Sequence, residues 1–389
     1  MRFFNVCTVN LYYSLNQTGG IINEPAEKKK VIVLYGGRSV EHAVSLQSAK
    51  AVIASLNRSR YDVFLTYTPT GVWHYLPAPE IVESLDQLIP ETLSPQSVSQ
   101  SMALFLEAAT SLNDCIAFPV LHGSYGEDGT IQGFFEMAGI PYVGNGVLAS
   151  STGMDKETMK NIFAQHQIPQ GQYLSVRKSQ YEADTHSIVS LVEHTFSYPF
   201  YVKPSNGGSS VGVHKITGPE EFRSSVDDAF LYDQKLLFEE DLTGREMQIA
   251  VLGNTSSSLH PPKCSLVGEY FQEHDFMDYK AKYVDGKLVQ SIPAALRPET
   301  ADAMKKVALT AFEALECTGL LRVDFFVRDQ ERFYVNEVNT LPGFTPFSMY
   351  PTLWQKSENL SYSSLLDELL MLAEEAYTAK NSLTRRFSL

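Results

Sequence analysis

The sequence lacks the features that mark several classes of protein. It has four cysteines in 389 residues and no C-x-x-C pair, which argues against a thiolate zinc site and against a disulfide framework. No apolar run approaches the ~18 residues that a membrane span requires. The N-terminus has no apolar signal-peptide core followed by a small-residue cleavage site. These absences predict a cytoplasmic protein that does not enter a membrane.

Positive charge is also scarce, because 31 Lys and Arg stand against 45 Asp and Glu, which gives a net charge of −14. A general nucleic-acid surface or anionic-membrane surface is therefore not expected. A negatively charged substrate would need a local cluster of Lys and Arg. The hydrophobic share of 44% and the charged share of 20% are those of an ordinary globular protein. A chain of 389 residues is long enough for two or three domains.

The patterns divide the chain into an N-terminal extension and three modules. Residues 1–30 are predicted to be a poorly ordered extension. Residues 31–144 alternate short apolar strands, glycine turns and helical periodicities, which predicts an open parallel α/β sheet. Residues 145–243 and 244–389 mix helices with β-rich runs, and each is expected to form an α+β module.

Three segments are predicted to form antiparallel strand pairs. In the first, YPFYVKPSNGGSSVGVHKI, two β-rich runs flank a Gly/Ser loop. The second is KLLFEEDLTGREMQIAVLG. The third, VDFFVRDQERFYVNEVNTLPGF, consists of a buried strand, a charged turn and a second buried strand.

The Gly/Ser loop is a candidate anion site. It places Lys203 on a strand, followed by Gly207, Gly208, Ser209 and Ser210. Such a loop lets backbone N–H groups approach an anion closely, and its hydroxyls can add donors. It is neither a P-loop nor a G-x-G-x-x-G motif. Taken alone, a loop of this composition is more often a flexible hairpin tip.

The acids of the third segment are candidate metal ligands. Glu337 and Asn339 are two positions apart, so their side chains share one face of a strand, and a short turn brings Asp324 across from them. Oxygen ligands without His or Cys suit Mg²⁺ better than a transition metal. Mg²⁺ takes its remaining ligands from water and substrate phosphates. The alternative is an ion-paired sheet surface that uses Arg322 and Arg328.

Other positions have both a structural and a functional interpretation. Glu41 follows the first glycine turn, where a carboxylate is either a helix-dipole partner or a ligand for a substrate ammonium. His122 opens the loop HGSYGEDG after a strand, and a lone histidine is more often structural than catalytic. The segment EHDFMDYKAKYVDGK has the composition of a mobile lid and equally of an ordinary surface loop.

Five segments, in this order and spacing, closely resemble the D-alanine–D-alanine ligases of the ATP-grasp superfamily. They are GGRSVEHAVSL, HGSYGEDGTIQGFFEMAGIPYVGNGVLASSTGMDK, KPSNGGSSVGV, DYKAKY and RVDFF…NEVNTLPGFTPFS. The resemblance runs from about Lys30 to the C-terminus. It implies an ATP-grasp fold, in which an N-terminal open parallel α/β domain and two α+β domains clasp ATP. The implied activity is ATP-dependent ligation of two D-alanines through a D-alanyl phosphate, for peptidoglycan synthesis.

The resemblance implies a nucleotide site. Asp324, Glu337 and Asn339 match the ligands of two Mg²⁺ ions that bridge the ATP phosphates, with Mn²⁺ as an alternative ion. Lys156 and Lys203 match the lysines that contact the phosphates. The other residues that match the ATP pocket are Ser210, Glu239, Leu242 and Glu246.

The resemblance also implies two D-alanine subsites. Glu41 matches the carboxylate that receives the ammonium of the first D-alanine, and Glu41, Ser209 and Tyr283 match a hydrogen-bonded triad of the family. Arg322 and the backbone N–H of Gly343 match the groups that stabilise the tetrahedral oxyanion. The residues that match the second subsite are His122, Lys282 and Ser348.

Other functions stay open at this point. A D-alanine–D-serine or D-alanine–D-lactate ligase has the same overall pattern; Tyr283 argues against lactate, because Phe accompanies D-lactate products at this position in the family. A non-catalytic nucleotide-binding module is disfavoured by the intact set of Arg322, Asp324, Glu337 and Asn339. Another ATP-grasp carboxylate–amine ligase is disfavoured by GGRSVEH and DYKAKY. The family also suggests a homodimer.

Overall fold

The computed structural model describes residues 27–93, 96–112, 114–242, 244–271, 289–329 and 331–384. These ranges contain three β-sheets with helices packed on them. Most of the predicted N-terminal extension lies outside the described residues, and the first strand already begins at Lys29. Lys282 and Tyr283, with the predicted lid, also lie outside the described residues.

The N-terminal sheet has the predicted open α/β arrangement. Its elements are β1 (Lys29–Gly36), α1 (His42–Ser55), β2 (Tyr61–Thr68), β3 (His74–Leu76), a 3₁₀ helix (Leu85–Leu88), α2 (Val98–Ser111), β4 (Cys115–Val120) and α3 (Thr130–Ala138). The strand order is β3-β2-β1-β4. The strands β1, β2 and β4 are parallel, and β3 is antiparallel to β2. The apolar run of β1 is buried because elements cover both faces of the sheet.

The central sheet is antiparallel, in the order β5-β8-β6-β7. This part of the chain contains α4 (Val147–Met154), α5 (Lys156–Gln165), β5 (Tyr173–Arg177), α6 (Lys178–Ala183), α7 (Thr185–Thr195), β6 (Phe200–Pro204), β7 (His214–Ile216), α8 (Pro219–Ala229) and β8 (Lys235–Glu240). Strands β6 and β7 pair across the Gly/Ser loop, so the first predicted hairpin is confirmed.

The third sheet has the order β12-β11-β9-β13-β14, and β10 pairs with β9. Its part of the chain contains β9 (Arg245–Asn254), β10 (Lys263–Cys264), β11 (Gly268–Phe271), β12 (Val289–Ser291), α9 (Pro298–Ala314), β13 (Thr318–Arg328), β14 (Arg332–Asn339), α10 (Met349–Glu358) and α11 (Tyr362–Asn381). Strands β13 and β14 are antiparallel neighbours, which confirms the third predicted pair.

The second predicted pair is wrong. Strand β8 pairs with β5 and β6 in the central sheet, whereas β9 pairs with β11 and β13 in the third sheet. Both segments are strands, but their burial pattern specifies a face and not a partner. The chain between Glu240 and Arg245 therefore crosses from one sheet to the next.

Helices join the three sheets. Met159 and Phe163 of α5 belong to the same buried cluster as Val323 of the third sheet, while the polar side of α5 faces the central sheet. Trp354 of α10 and Leu366 of α11 pack in the same cluster as the apolar residues of β1. Within the described ranges, no helix is both long enough and apolar enough to cross a membrane.

Asn145 connects the N-terminal part of the chain to the third sheet. Its side chain is buried, and its Nδ2 donates to the carbonyl oxygens of Leu320 at 2.6 Å and Thr340 at 2.8 Å. Its Oδ1 accepts from the backbone N–H of Thr318 at 3.0 Å. One amide therefore satisfies backbone groups of two neighbouring strand ends.

We expect Asn145→Ala to lower the free energy of unfolding by about 3 kcal/mol, because it leaves buried backbone groups without partners. Denaturant titration measures this loss. Asn381→Ala, which removes an exposed amide at the end of α11, is the control and should change stability by less than about 0.5 kcal/mol. An equal, small effect of both substitutions would contradict the prediction.

Candidate active site

A cleft lies where the N-terminal sheet, the Gly/Ser loop and the third sheet meet. Its wall includes backbone and side chains from all three parts. The residues predicted from the sequence that line it are Glu41, His122, Lys156, Ser209, Arg322, Glu337, Asn339 and Gly343.

The remaining predicted residues divide into three groups. Asp324 pairs with Arg322 of the cleft wall, and Lys203 and Glu239 pair with each other on the central sheet beside it. Asp324, Lys203 and Glu239 do not line the cleft, and neither do Ser210, Leu242, Glu246 and Ser348. Lys282 and Tyr283 lie outside the described residues.

The tip of the Gly/Ser loop contacts Glu41. The Ser209 hydroxyl donates a hydrogen bond to Oε1 of Glu41, although 168 positions separate the two residues. Ser209 has a φ of 52°, in the left-handed region that a non-glycine residue seldom adopts. Gly123 also approaches closely, because a Cβ there would lie 2.7 Å from Oε2 of Glu41. The loop is thus held against the N-terminal sheet rather than free in solvent.

The Glu41 carboxylate does not cap its helix. Glu41 occupies the N-cap position of α1, yet its side chain makes no cap hydrogen bond. Glu41 is 8% exposed, and it faces the cleft. The side chain is therefore placed to accept hydrogen bonds from a ligand, as the functional interpretation of this residue requires.

His122 is buried in a polar network at the edge of the cleft. Its Nδ1 is 3.4 Å from Oε1 of Glu127, and its Nε2 is 3.0 Å from the Ser48 hydroxyl. Burial by itself would lower the pKa of His122, but the hydrogen bond and charge of Glu127, with the charge of Glu41, raise it. Ser48 also accepts from the backbone N–H of Phe344 at 3.3 Å. The network therefore fixes the backbone next to Gly343.

Asp324 is held by Arg322. Two parallel hydrogen bonds of 2.7 Å join the guanidinium to the carboxylate, the strong bidentate geometry of this pair. The register sets Asp324 opposite Glu337, and Nδ2 of Asn339 reaches Oδ2 of Asp324 at 3.2 Å. Arg328, the other cation considered from the sequence, lies at the far end of β13. The three predicted metal ligands are thus neighbours on one face.

Lys156 links the Gly/Ser loop to the acids of the third sheet. Its Nζ donates to the carbonyl oxygen of Gly207 at 2.7 Å and lies 3.5 Å from Oε2 of Glu337. Lys156 is 8% exposed and lines the cleft. A local positive charge of the kind that an anionic substrate requires is therefore present in a strongly acidic protein.

Glu239 lies between two lysines. Oε1 is 2.8 Å from Nζ of Lys160, and Oε2 contacts Nζ of Lys203. Burial works to raise the pKa of Glu239, but the charges and hydrogen bonds of Lys160 and Lys203 outweigh burial and lower it to about 2. The carboxylate is therefore ionised throughout the physiological pH range.

A second, partly buried ion cluster fixes the start of α5. Nζ of Lys235 lies 2.8 Å from Asp155 and 2.7 Å from Glu157, the two residues that flank Lys156. Oδ1 of Asp155 also accepts from the backbone N–H of Thr158 at 2.9 Å. The cluster anchors Lys156 to the central sheet.

Sequence reasoning missed several of these residues. Lys160 had a detectable signal, because a lysine four positions after Lys156 lies on the same face of a helix. Glu127, five positions after His122, stands in the acidic loop quoted above. Lys235 gave no local signal, since its partners lie 80 and 78 positions away along the chain.

Comparison with known protein families identifies the family to which this chain belongs. The D-ala D-ala ligase N-terminus family matches residues 30–145, and the D-ala D-ala ligase C-terminus family matches residues 162–371. The chain belongs to the D-alanine–D-alanine ligase family. Ligases of this family use ATP and act on small molecules.

Individual relatives agree with this assignment. The D-alanine–D-alanine ligase of Macrococcus caseolyticus is 44% identical over 358 residues, which is 92% of this chain and 98% of that protein. The solved D-alanine–D-alanine ligase of Coxiella burnetii is 28% identical with a TM-score of 0.73, and the match covers 92% of this chain and 97% of that one. The VanG D-Ala:D-Ser ligase of Enterococcus faecalis is 32% identical with a TM-score of 0.74, covering 89% and 100%. The fold is the ATP-grasp fold predicted from the sequence.

The buried Lys235 cluster predicts a pH-dependent stability. Burial acts to raise the pKa values of Asp155 and Glu157, but Lys235 and neighbouring donors outweigh it, so both lie below their ordinary values of 3.8 and 4.5. A carboxyl whose pKa is lowered by folding stabilises the fold above its ordinary pKa, and this stability is lost as the pH falls through the folded value.

We therefore expect Lys235→Met to lower the free energy of unfolding at pH 7 by about 2 kcal/mol, because two partly buried carboxylates lose their charged hydrogen-bond partner. The difference in the free energy of unfolding between Lys235→Met and the wild type should shrink as the pH falls from about 4.5 towards 3, since the carboxyl groups become neutral. Denaturant titrations of both proteins across this range measure it. A difference that does not change with pH would refute the ion-cluster explanation.

Proposed function

We propose that this protein joins two D-alanines into D-alanyl-D-alanine in the cytoplasm, with conversion of ATP to ADP and phosphate, for peptidoglycan synthesis. The observation that carries the proposal is one cleft that combines the buried carboxylate of Glu41, the Gly/Ser loop, the Lys156 ammonium and the Arg322 guanidinium. A homodimer belongs to the same proposal and rests on the family resemblance alone.

The first step activates a carboxylate. A carboxylate is a poor acyl donor, so an oxygen of the first D-alanine attacks the γ-phosphorus of ATP, the bond to ADP breaks, and D-alanyl phosphate forms. Glu41 would bind the ammonium of this D-alanine, oriented by Ser209. Lys156 and Lys203 would offset the negative charge on the transferring group. Holding the two reactants in line is most of what such a site contributes.

The second step forms the amide. The amine of the second D-alanine, after losing a proton, attacks the carbonyl carbon of D-alanyl phosphate, and the tetrahedral intermediate collapses with loss of phosphate. Arg322 and the backbone N–H of Gly343 would face the developing oxyanion, where fixed donors contribute most. Ser48 supports this arrangement, because its contact with the neighbouring Phe344 N–H fixes the loop. His122, Lys282 and Ser348 would serve the second D-alanine.

The oxygen ligands of the third sheet fit Mg²⁺. The described residues contain no group of three or more His, Cys, Asp or Glu side chains that could hold a metal ion by themselves. Asp324, Glu337 and Asn339 supply two carboxylates and an amide, a set that suits an ion completing its shell with phosphate oxygens. Two Mg²⁺ ions, or Mn²⁺ in their place, would neutralise charge on the ATP phosphates when bound.

The activity is tested by phosphate release from MgATP with D-alanine, D-serine, D-lactate or L-alanine as the amino-acid substrate. We expect release with D-alanine alone as substrate and D-alanyl-D-alanine as the product. Release that requires D-serine beside D-alanine would favour a D-alanine–D-serine ligase. The absence of any D-alanine-dependent release would overturn the proposal.

Glu337→Gln tests the metal ligands without relying on turnover. We expect the affinity for Mn²⁺, measured by electron paramagnetic resonance with ATP present, to fall at least about tenfold, because a charged ligand becomes a neutral amide. Glu299→Gln, an exposed acid in the first turn of α9, is the matched control and should bind Mn²⁺ as the wild type does. Unchanged Mn²⁺ binding by Glu337→Gln would show that Glu337 is not a ligand.

A further inference from the structure

Two lysines share the Glu239 carboxylate, but they differ in what else they can reach. The Lys160 side chain, on α5, is 2% exposed. The Lys203 side chain is 10% exposed and comes from β6, next to the Gly/Ser loop. Lys203 is therefore the more accessible of the two lysines.

Lys203 faces the acidic strand of the cleft. Its Nζ lies 3.4 Å from Oδ1 of Asn336, which directly precedes Glu337 in β14. The flexible four-carbon chain of a lysine lets its ammonium turn from one oxygen partner to another. Lys203 can therefore leave Glu239 for an anion in the cleft.

Lys160 is confined to its place. Its ammonium lies 5.4 Å from the ring centre of Tyr173, which adds a cation–π contact. Its backbone carbonyl accepts a hydrogen bond from Gln170 at 2.8 Å, and it belongs to the interior of a helix. Lys160 thus stays beside Glu239 whatever binds in the cleft.

We propose that Lys160 is a positioning residue that remains the counter-ion of Glu239 and thereby frees Lys203 to bind the phosphates of the nucleotide. The inference rests on the proposed function, since it takes Lys203 as a phosphate ligand. Its physical basis is the cost of a buried carboxylate without a cation. With Lys160 present, Glu239 keeps one ammonium after Lys203 moves; without Lys160, the departure of Lys203 would leave Glu239 unpaired.

This arrangement should respond differently to ATP and to its nucleoside, adenosine. A triphosphate recruits Lys203, whereas adenosine has no phosphate and leaves Lys203 on Glu239. Loss of Lys160 should therefore weaken ATP binding and leave adenosine binding nearly unchanged. A purely structural role of Lys160 would weaken both ligands together.

The test is calorimetric binding of ATP with Mg²⁺ and of adenosine to the wild type and to Lys160→Met. We expect ATP affinity to fall about tenfold to a hundredfold, the range of one charge-assisted hydrogen bond, with adenosine affinity within about twofold. Lys160→Arg, which keeps the charge, should recover most of the ATP affinity. A parallel loss of affinity for ATP and adenosine, or an unchanged affinity for both, would overturn the inference.

A double-mutant cycle separates this role from a general weakening of the site. In a Glu239→Gln background no carboxylate holds Lys203, so adding Lys160→Met should change ATP affinity by less than about twofold. A loss of ATP affinity as large as in the wild-type background would contradict the inference. Lys380→Met, an exposed lysine paired with Glu136, controls for the removal of a positive charge.

Thermal unfolding of each variant verifies that the binding data describe folded protein. If Lys160→Met does not fold, Lys160→Gln provides the same comparison, because its amide can still donate to Glu239 without a charge. Failure of the wild type to bind ATP at all would overturn the proposed function itself, an outcome distinct from a wild type that binds ATP and a Lys160 variant that binds it equally well.

Discussion

Paired charges in the protein interior set the geometry of the cleft. A buried ion is stable only when a partner of opposite charge and further hydrogen bonds compensate for lost hydration. Helix α5 satisfies this constraint on its polar side, where Lys160 meets Glu239 and where Asp155 and Glu157 meet Lys235. Its apolar side belongs to the core of the third sheet. The helix therefore joins two sheets, and Lys156 lies between the residues that join them.

The same constraint explains how the cleft can accept anions. The cations that line it are held by protein carboxylates, as Arg322 is by Asp324 and Lys156 is by Glu337. A phosphate or a developing oxyanion offers these cations a similar oxygen partner. Cations that are already fixed and desolvated need little rearrangement to meet the ligand, which is the condition for strong electrostatic stabilisation of a reacting group.

Local pattern and family resemblance predicted different parts of this molecule. Periodicity was sufficient for the parallel N-terminal strands and for the β13–β14 pair with Asp324 opposite Glu337. It failed for the segment that contains β8 and β9, because alternation specifies a buried face and leaves the partner strand to long-range packing.

The contact of Ser209 with Glu41 was predicted from the family resemblance, since no local spacing relates positions 168 residues apart. Neither local pattern nor family resemblance predicted the ion clusters around Lys160 and Lys235. Their partners are distant in sequence, and charged residues in a helix or strand most often lie on the solvated face. Only the fold shows that these charges are paired and lie largely away from solvent.

The measurement that tests the mechanism most directly is the fate of oxygen from the substrate carboxylate. With D-alanine labelled by ¹⁸O in its carboxylate, attack on ATP and later loss of phosphate transfer one labelled oxygen to the released phosphate. Mass spectrometry of that phosphate should therefore detect one ¹⁸O atom for each D-alanyl-D-alanine formed. Dipeptide formation with unlabelled phosphate would contradict a route through D-alanyl phosphate.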